Sequence, residues 1–150
     1  MENMKRIILI IGKRSNLSKR IFEKRNDVVL ISSSEVLENI DLFDKYNGFK
    51  IVLIFNNFQP SYELNNVENP INYITHSIQV TSLVLEKVKD NFSITKIIYT
   101  SSASVYGNNN FCDESDVLMP LNLHSSLKIS NEKLIENYCT KYKIDYTITR

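Results

Sequence analysis

Five short strand-like segments, the first four of them apolar runs and all separated by stretches of helical character, govern what this chain can become. They are Arg6–Ile11, Val28–Ile31, residues 50–55, residues 96–100 and Asp145–Thr149. The first reads Arg-Ile-Ile-Leu-Ile-Ile and does not alternate apolar with polar residues. A strand with one wet face would alternate, whereas continuous runs rich in β-branched residues belong to strands covered on both faces. Small or polar residues close the runs: Gly12 after the first, Ser32-Ser33-Ser34 after the second, Asn56-Asn57 after the third and Ser101-Ser102 after the fourth.

The intervening segments carry helical spacing. Residues 15–24 place Leu17, Ile21 and Phe22 together, with a Ser or Asn available as N-cap. Residues 36–46 predict a weak helix, and residues 58–67 a polar, irregular stretch. Asn69-Pro70 supplies an N-cap and a proline at the first helical position. From there Ile71, Ile74, Ile78, Leu85 and Val88, widened by Val80 and Val84, mark the inward side of a helix to about Lys89. Residues 107–120 form a polar loop closed by Pro120, and residues 125–142 form a helix turning Leu127, Leu134, Ile135 and Tyr138 inward. Strand and helix alternate throughout, which predicts one α/β domain over residues 1–150. It is a doubly wound, mostly parallel, Rossmann-like sheet covered on both faces. Ligands of such sheets bind at the carboxyl ends of the strands, near the point where strand order reverses.

Composition narrows the classes. No apolar run reaches the roughly 18 residues of a membrane helix, and residues 7–11 are too short and too closely followed by Lys13 and Arg14 for a signal peptide. Cys112 and Cys139 cannot make a disulfide framework, and neither histidine has a partner at metal-ligand spacing, so no metal site is expected. A cytoplasmic, membrane-free protein is the expectation. Residues 1–25 hold eight Lys or Arg against Glu2 and Glu23, a local balance of +6 within a chain of net charge +1. These cations straddle an apolar strand and a short helix without interleaved aromatics, so no nucleic acid is expected. They form a solvated helix face or a site for a phosphate-bearing small ligand.

Two constellations carry chemistry. In the turn Gly12-Lys13-Arg14-Ser15-Asn16-Leu17-Ser18, a phosphate would meet free backbone N–H groups at a helix N-terminus. Only three glycines occur in the chain, and serine holds two places where such turns favour glycine. The second is Thr100-Ser101-Ser102-Ala103-Ser104-Val105-Tyr106-Gly107, followed by Pro120, His124, Lys128 and Glu132 at intervals of four. Residues four apart share a helix face. His124 and Lys128 can therefore overlook Ser102, a grouping that suits proton transfer coupled to oxidation or reduction.

These residues resemble the extended short-chain dehydrogenase/reductase family of NAD(P)-dependent nucleotide-sugar epimerases, dehydratases and reductases. The family has a strand ending in Ser-Ser-x-x-Val-Tyr-Gly, then Pro, Tyr, Lys and Glu at intervals of four, and a later strand ending in Arg. Here they are Ser101 to Gly107, Pro120, His124, Lys128, Glu132 and Arg150. Thr81, in Ser77-Ile-Gln-Val-Thr81, is similar to the family's Asn-x-x-Gly-Thr, and Asn56-Asn57 stands where the family has two alanines. The short gap before Asn56 looks most like the dehydrorhamnose-reductase branch.

The resemblance implies that Ser102 orients the sugar oxygen, that Lys128 holds the nicotinamide ribose, and that His124 occupies the acid/base position. It also implies cofactor contacts from Gly12, Lys13, Arg14, Ser15, Ser18, Ser32 and Asn56. With serines after the second strand instead of an acid, and Lys13 and Arg14 in the turn, NADP is favoured over NAD. Histidine in the tyrosine position implies impaired turnover, and the family's C-terminal substrate region is expected to be absent. The alternative is a non-catalytic dinucleotide-fold binding module or a gene remnant. An incomplete last strand is expected to expose Tyr138 and Tyr142 and promote association between copies.

Overall fold

The computed structural model describes residues 4–59, 69–89 and 93–150. Its five strands are β1 (Arg6–Ile11), β2 (Val28–Ile31), β3 (Lys50–Asn56), β4 (Ser93–Thr100) and β5 (Asp145–Thr149). All neighbouring strands pair in parallel, in the order β2-β1-β3-β4-β5. The chain winds from β1 toward one edge and then returns past it toward the other. Strand order therefore reverses between β1 and β3, the place where such a sheet opens a crevice.

Helix α1 (Asn16–Lys24) joins β1 to β2. Between β2 and β3 lie α2 (Ser33–Glu38) and a 3-10 turn, Ile40–Tyr46. The single weak helix expected over residues 36–46 is thus two shorter pieces, because Asn39 ends the first and caps the second. No further strand stands between β2 and β3, which accounts for the short spacing read in the sequence. α3 (Pro70–Ile74), a π turn (Thr75–Gln79) and α4 (Val80–Val88) join β3 to β4, and α5 (Leu123–Tyr142) joins β4 to β5. Among the described residues, no helix is long and apolar enough to cross a membrane.

Residues on one face of the sheet, Ile7, Leu9, Ile11, Ile51, Leu53, Phe55, Ile97 and Tyr99, pack with Val36, Phe43, Val80, Val84, Val88 and Ile135 into the core. The opposite face is less covered than the sequence suggested: Ile8, Ile54 and Ile98 remain partly exposed. Two inward stripes also differ from expectation. In α1, Leu17 and Phe22 are exposed and Ser18 is buried. In α3, Ile71 and Ile74 are exposed while Tyr73 is buried. Of the stretch expected to be irregular, Phe58 is buried in the core and residues 60–67 lie outside the described residues. Tyr138 packs against the core and against the ring of Tyr142, so only Tyr142 is exposed as expected.

Candidate functional site

Gly12 ends β1 with φ +127°, and its N–H reaches the carbonyl of Ile31 at 2.8 Å. A Cβ here would lie 1.7 Å from the carbonyl oxygen of Asn56 at the end of β3. Glycine is therefore required by a close approach of two strand ends and by a backbone conformation that other residues resist. Beneath the turn, the buried amide of Asn56 spends both its groups: Nδ2 donates to Ser15 Oγ (3.0 Å) and Ser18 Oγ (2.8 Å), and Oδ1 accepts from Thr100 Oγ1 (2.9 Å). This brace ties β1, α1, β3 and β4 together where the crevice opens.

Above the brace lies a cavity of about 670 Å³. Of the residues singled out in the sequence, Gly12, Lys13, Arg14, Ser15, Ser32 and His124 line it. Ser18, Asn56, Ser102 and Lys128 do not; Ser18 and Asn56 are buried below, and Lys128 is buried on α5. Ser15 is the N-cap of α1, but its side chain makes no capping bond, and the first turn of α1 has no acidic residue. The backbone donors at that end are left to the cavity, where Asn16 and Leu17 also lie. At the end of β2, Ser32 and Glu35 cap α2 reciprocally: Glu35 N–H donates to Ser32 Oγ (3.1 Å) and Ser32 N–H to Glu35 Oε2 (2.8 Å). Glu35 also pairs with Lys13 at 3.4 Å. These bonds, those to Ser32 foremost, hold its carboxyl below its usual range.

At the end of β4, Ser102 opens a 3-10 turn, Ala103–Tyr106, and its Oγ accepts from Ser104 N–H (3.2 Å) and from the Ser104 hydroxyl (2.9 Å). Facing it, α5 begins at an Asn122–Ser125 capping box, which places His124 in the first turn and Lys128 one turn later. Lys128 is 1% exposed and donates to the carbonyl of Thr100 at 3.1 Å, with its ammonium 5.3 Å from the centre of the Tyr99 ring. Burial pushes the Lys128 ammonium down to about 8, and Glu132 partly offsets this. Burial, then the Lys128 charge, pushes His124 down to about 4. The structure thus brings Ser102, His124 and Lys128 to one end of the sheet. Among the described residues, no hydrogen bond joins them directly.

A second network fixes the wall that carries them. The buried carboxylate of Glu132 accepts from the Ser101 hydroxyl and from Arg150, whose Nη2 lies 2.8 Å from Oε2. Arg150 Nη1 donates to Tyr106 Oη at 3.0 Å. Tyr106, Glu132 and Arg150 are therefore one clamp joining α5, β5 and the turn after β4.

Four residues escaped the sequence reading. Glu35 had a legible signal in Ser32-x-x-Glu35, the spacing of a capping box. Tyr73 had none: its hydroxyl lies 2.6 Å from His124 Nδ1, brought by a helix 51 residues earlier. Asn131 had none either; its Nδ2 donates at 2.7 Å to the Ser77 carbonyl within the π turn. His76 also lines the cavity, with Nδ1 3.2 Å from Ser33 Oγ.

The fold is shared with known proteins. The family model for the NAD dependent epimerase/dehydratase family matches residues 8–150. The chain is 32% identical over 133 residues to dTDP-D-glucose 4,6-dehydratase of Dictyostelium discoideum, covering 80% of this chain and 29% of that protein. It is similar in fold to UDP-N-acetylglucosamine 4-epimerase from Methanobrevibacter ruminantium M1, with a TM-score of 0.74 and 19% identity over 97% of this chain and 54% of the other. It is also similar to UDP-glucuronic acid 4-epimerase from Bacillus cereus, solved with UDP-glucuronic acid and NAD, at a TM-score of 0.71 and 20% identity over 94% and 55% of the two chains. The chain spans under a third of the curated relative and about half of each solved one. The family match runs through the glycine turn, the serine turn and the Lys128 helix alike, and the chain belongs to the NAD dependent epimerase/dehydratase family.

Proposed function

We propose that this chain is the dinucleotide-binding part of a nucleotide-sugar epimerase, dehydratase or reductase, with turnover weakened at His124. The observation that carries the reading is the crevice itself. Gly12 meets Asn56 with no room for a Cβ, and the uncapped start of α1 opens into a cavity of about 670 Å³ beside His124. A pyrophosphate suits that end: it has free N–H donors, the positive end of a helix dipole and no carboxylate in the first turn. The residues fit the group. Gly12, Lys13, Arg14, Ser15 and Ser32 would hold a nicotinamide dinucleotide along the cavity, with Asn56 and Ser18 bracing the turn from below.

When bound, the nicotinamide would take or return the two electrons exchanged with the sugar. The chain's own residues handle position and protons. Ser102 accepts two bonds from Ser104, which leaves its own proton to donate to a sugar oxygen. Lys128 remains mostly protonated near neutrality and would hold the ribose. A cation at that place brings a phenol down toward neutrality from about 10. It lowers an imidazole too, but away from neutrality: burial first and then the Lys128 charge put His124 near 4, a poor base at neutral pH. That mismatch supports impaired turnover, and it equally supports the second reading, a binding module without catalysis.

NADP is the proposed cofactor in preference to NAD. Ser32, Ser33 and Ser34 close β2 without an acid, and the Glu35 carboxylate is engaged by Ser32 and Lys13 rather than left for a ribose. Arg14 lines the same cavity. Fluorescence titration of the chain with NADPH and NADH tests this. NADPH binds about tenfold more tightly, the worth of one charge-assisted bond. Equal affinities overturn the NADP preference, and saturable binding of neither overturns the function.

A further inference from the structure

We propose that Tyr73 is a positioning residue for His124: its phenol donates to Nδ1 and fixes the imidazole as the tautomer that carries its proton on Nε2. The inference rests on the function above only for what the imidazole would meet.

Tyr73 sits in the short helix α3, which Asn69 caps through the Asn72 N–H at 3.0 Å and which Pro70 opens. Its side chain is wholly buried. The π turn follows at once, and Asn131 of α5 grips the Ser77 carbonyl within it at 2.7 Å. Such turns release backbone carbonyls from the helix and recur at functional sites. Here the released carbonyl anchors α3 and the π turn to the helix that carries His124. The Tyr73 hydroxyl is then held 2.6 Å from His124 Nδ1, with the two rings tilted at 47°.

The donor in that bond follows from acidity. A phenol is a far stronger acid than a neutral imidazole N–H, and an imidazole nitrogen is a far better acceptor than a phenolic oxygen. The bond is therefore O–H to Nδ1, and the ring proton stays on Nε2. Burial keeps the imidazole neutral, and Lys128, one turn along α5, is the charged group that adds to this. With Nδ1 taken, Nε2–H is the group His124 has left for the cavity it lines. It meets a ligand as a hydrogen-bond donor, which suits a carbonyl oxygen rather than a hydroxyl that must lose its proton. A sugar at the carbonyl level is the class of ligand that this orientation recognises.

The test is a long-range ¹H–¹⁵N correlation spectrum of the imidazoles in the ¹⁵N-labelled chain at neutral pH, without nucleotide. His76→Gln assigns the two histidines. In the unaltered chain His124 shows a single tautomer, protonated at Nε2 and bare at Nδ1. Tyr73→Phe removes the donor and keeps the ring, so the single tautomer is lost and both nitrogen resonances move toward an averaged position. A His124 protonated at Nδ1, or already mixed in the unaltered chain, overturns the proposal even if Tyr73→Phe does not fold. A tautomer untouched by Tyr73→Phe overturns it as well. Because no nucleotide is present, the nucleotide titration can fail while the tautomer holds, or the reverse.

Discussion

Gly12 and Asn56 meet across the reversal of strand order with no space for a side chain between them: a Cβ on Gly12 would lie 1.7 Å from the Asn56 carbonyl oxygen. The contact closes the floor of the crevice and sets the height of the turn above it. Backbone lies on both sides, so nothing flexible can give way. Gly12→Ala is therefore expected to cost at least about 3 kcal/mol, from the clash and the φ of +127° together. Urea unfolding of the two proteins measures it. A loss under about 1 kcal/mol would show that the ends of β1 and β3 can separate.

Much of this was legible before any coordinates. Continuous isoleucine-rich runs belong to strands covered on both faces, so the parallel strands and their order of appearance followed from the sequence, although Ile8, Ile54 and Ile98 on the second face stay partly exposed. Asn69-Pro70 announced the start of α3, and the spacing of His124, Lys128 and Glu132 placed them on one side of α5. What failed was the phase of the inward stripes. Hydrophobicity singled out Ile71 and Ile74, yet Tyr73, Ser77 and Thr81 turn inward: the Tyr73 hydroxyl meets His124 on α5, and the Ser77 carbonyl accepts from the Thr81 hydroxyl and from Asn131 of α5. The same fault hid Ser18, which is buried to meet Asn56 while Leu17 is exposed. A buried hydroxyl held by an amide 38 residues away leaves no periodic mark.

His124 makes stability depend on pH with a definite sign. Its folded pKa lies near 4 and its unfolded value near 6.5. Between those values the unfolded chain binds a proton that the folded chain refuses, so stability falls as pH drops from 6.5 toward 4 and is level above that window. Allowing for solvent screening of a half-buried ring, the loss is about 1–2 kcal/mol. Glu35 shifts stability in the same sense, so the informative quantity is the difference between the chain and His124→Gln. That difference changes between pH 7 and pH 4.5 in favour of the variant. A constant difference would mean that His124 titrates normally.

Turnover of nucleotide sugars by residues 1–150 is expected to be undetectable. The described residues build the proposed cofactor side of the crevice and the Ser102–Lys128 wall, and the curated dehydratase is more than three times as long as the region matched. Incubation with NADPH or NAD and a panel of UDP- and dTDP-sugars, followed by absorbance and chromatography, checks this; product formation would refute it. Joined to the C-terminal region of such a relative, the chain should gain from His124→Tyr. A phenol reaches about 1 Å further and is tuned in the right direction by Lys128. The expected gain is about a hundredfold. A His124 form as fast as its tyrosine variant would refute the reading of that position.

Lys128 is a charge that the fold would do better without. It is 1% exposed, and burial draws its pKa from 10.5 down to about 8. That shift corresponds to about 3 kcal/mol at neutral pH. Below pH 8 both states are protonated and the full cost is present; it is relieved as pH rises through 8 to 10.5, where the folded chain releases its proton first. Lys128→Met removes the charge and keeps most of the volume, at the loss of a hydrogen bond to the Thr100 carbonyl worth about 1 kcal/mol. The variant is therefore expected to be about 2 kcal/mol more stable at pH 7, with the advantage shrinking above pH 8. Its affinity for NADPH should fall about tenfold, since the ammonium held at the end of β4 is the group proposed to meet the ribose. Denaturant unfolding at several pH values and a fluorescence titration read the two effects separately. Opposite signs mark a residue kept for binding against its cost to the fold. A variant that is less stable and binds NADPH as before would make Lys128 a structural residue instead.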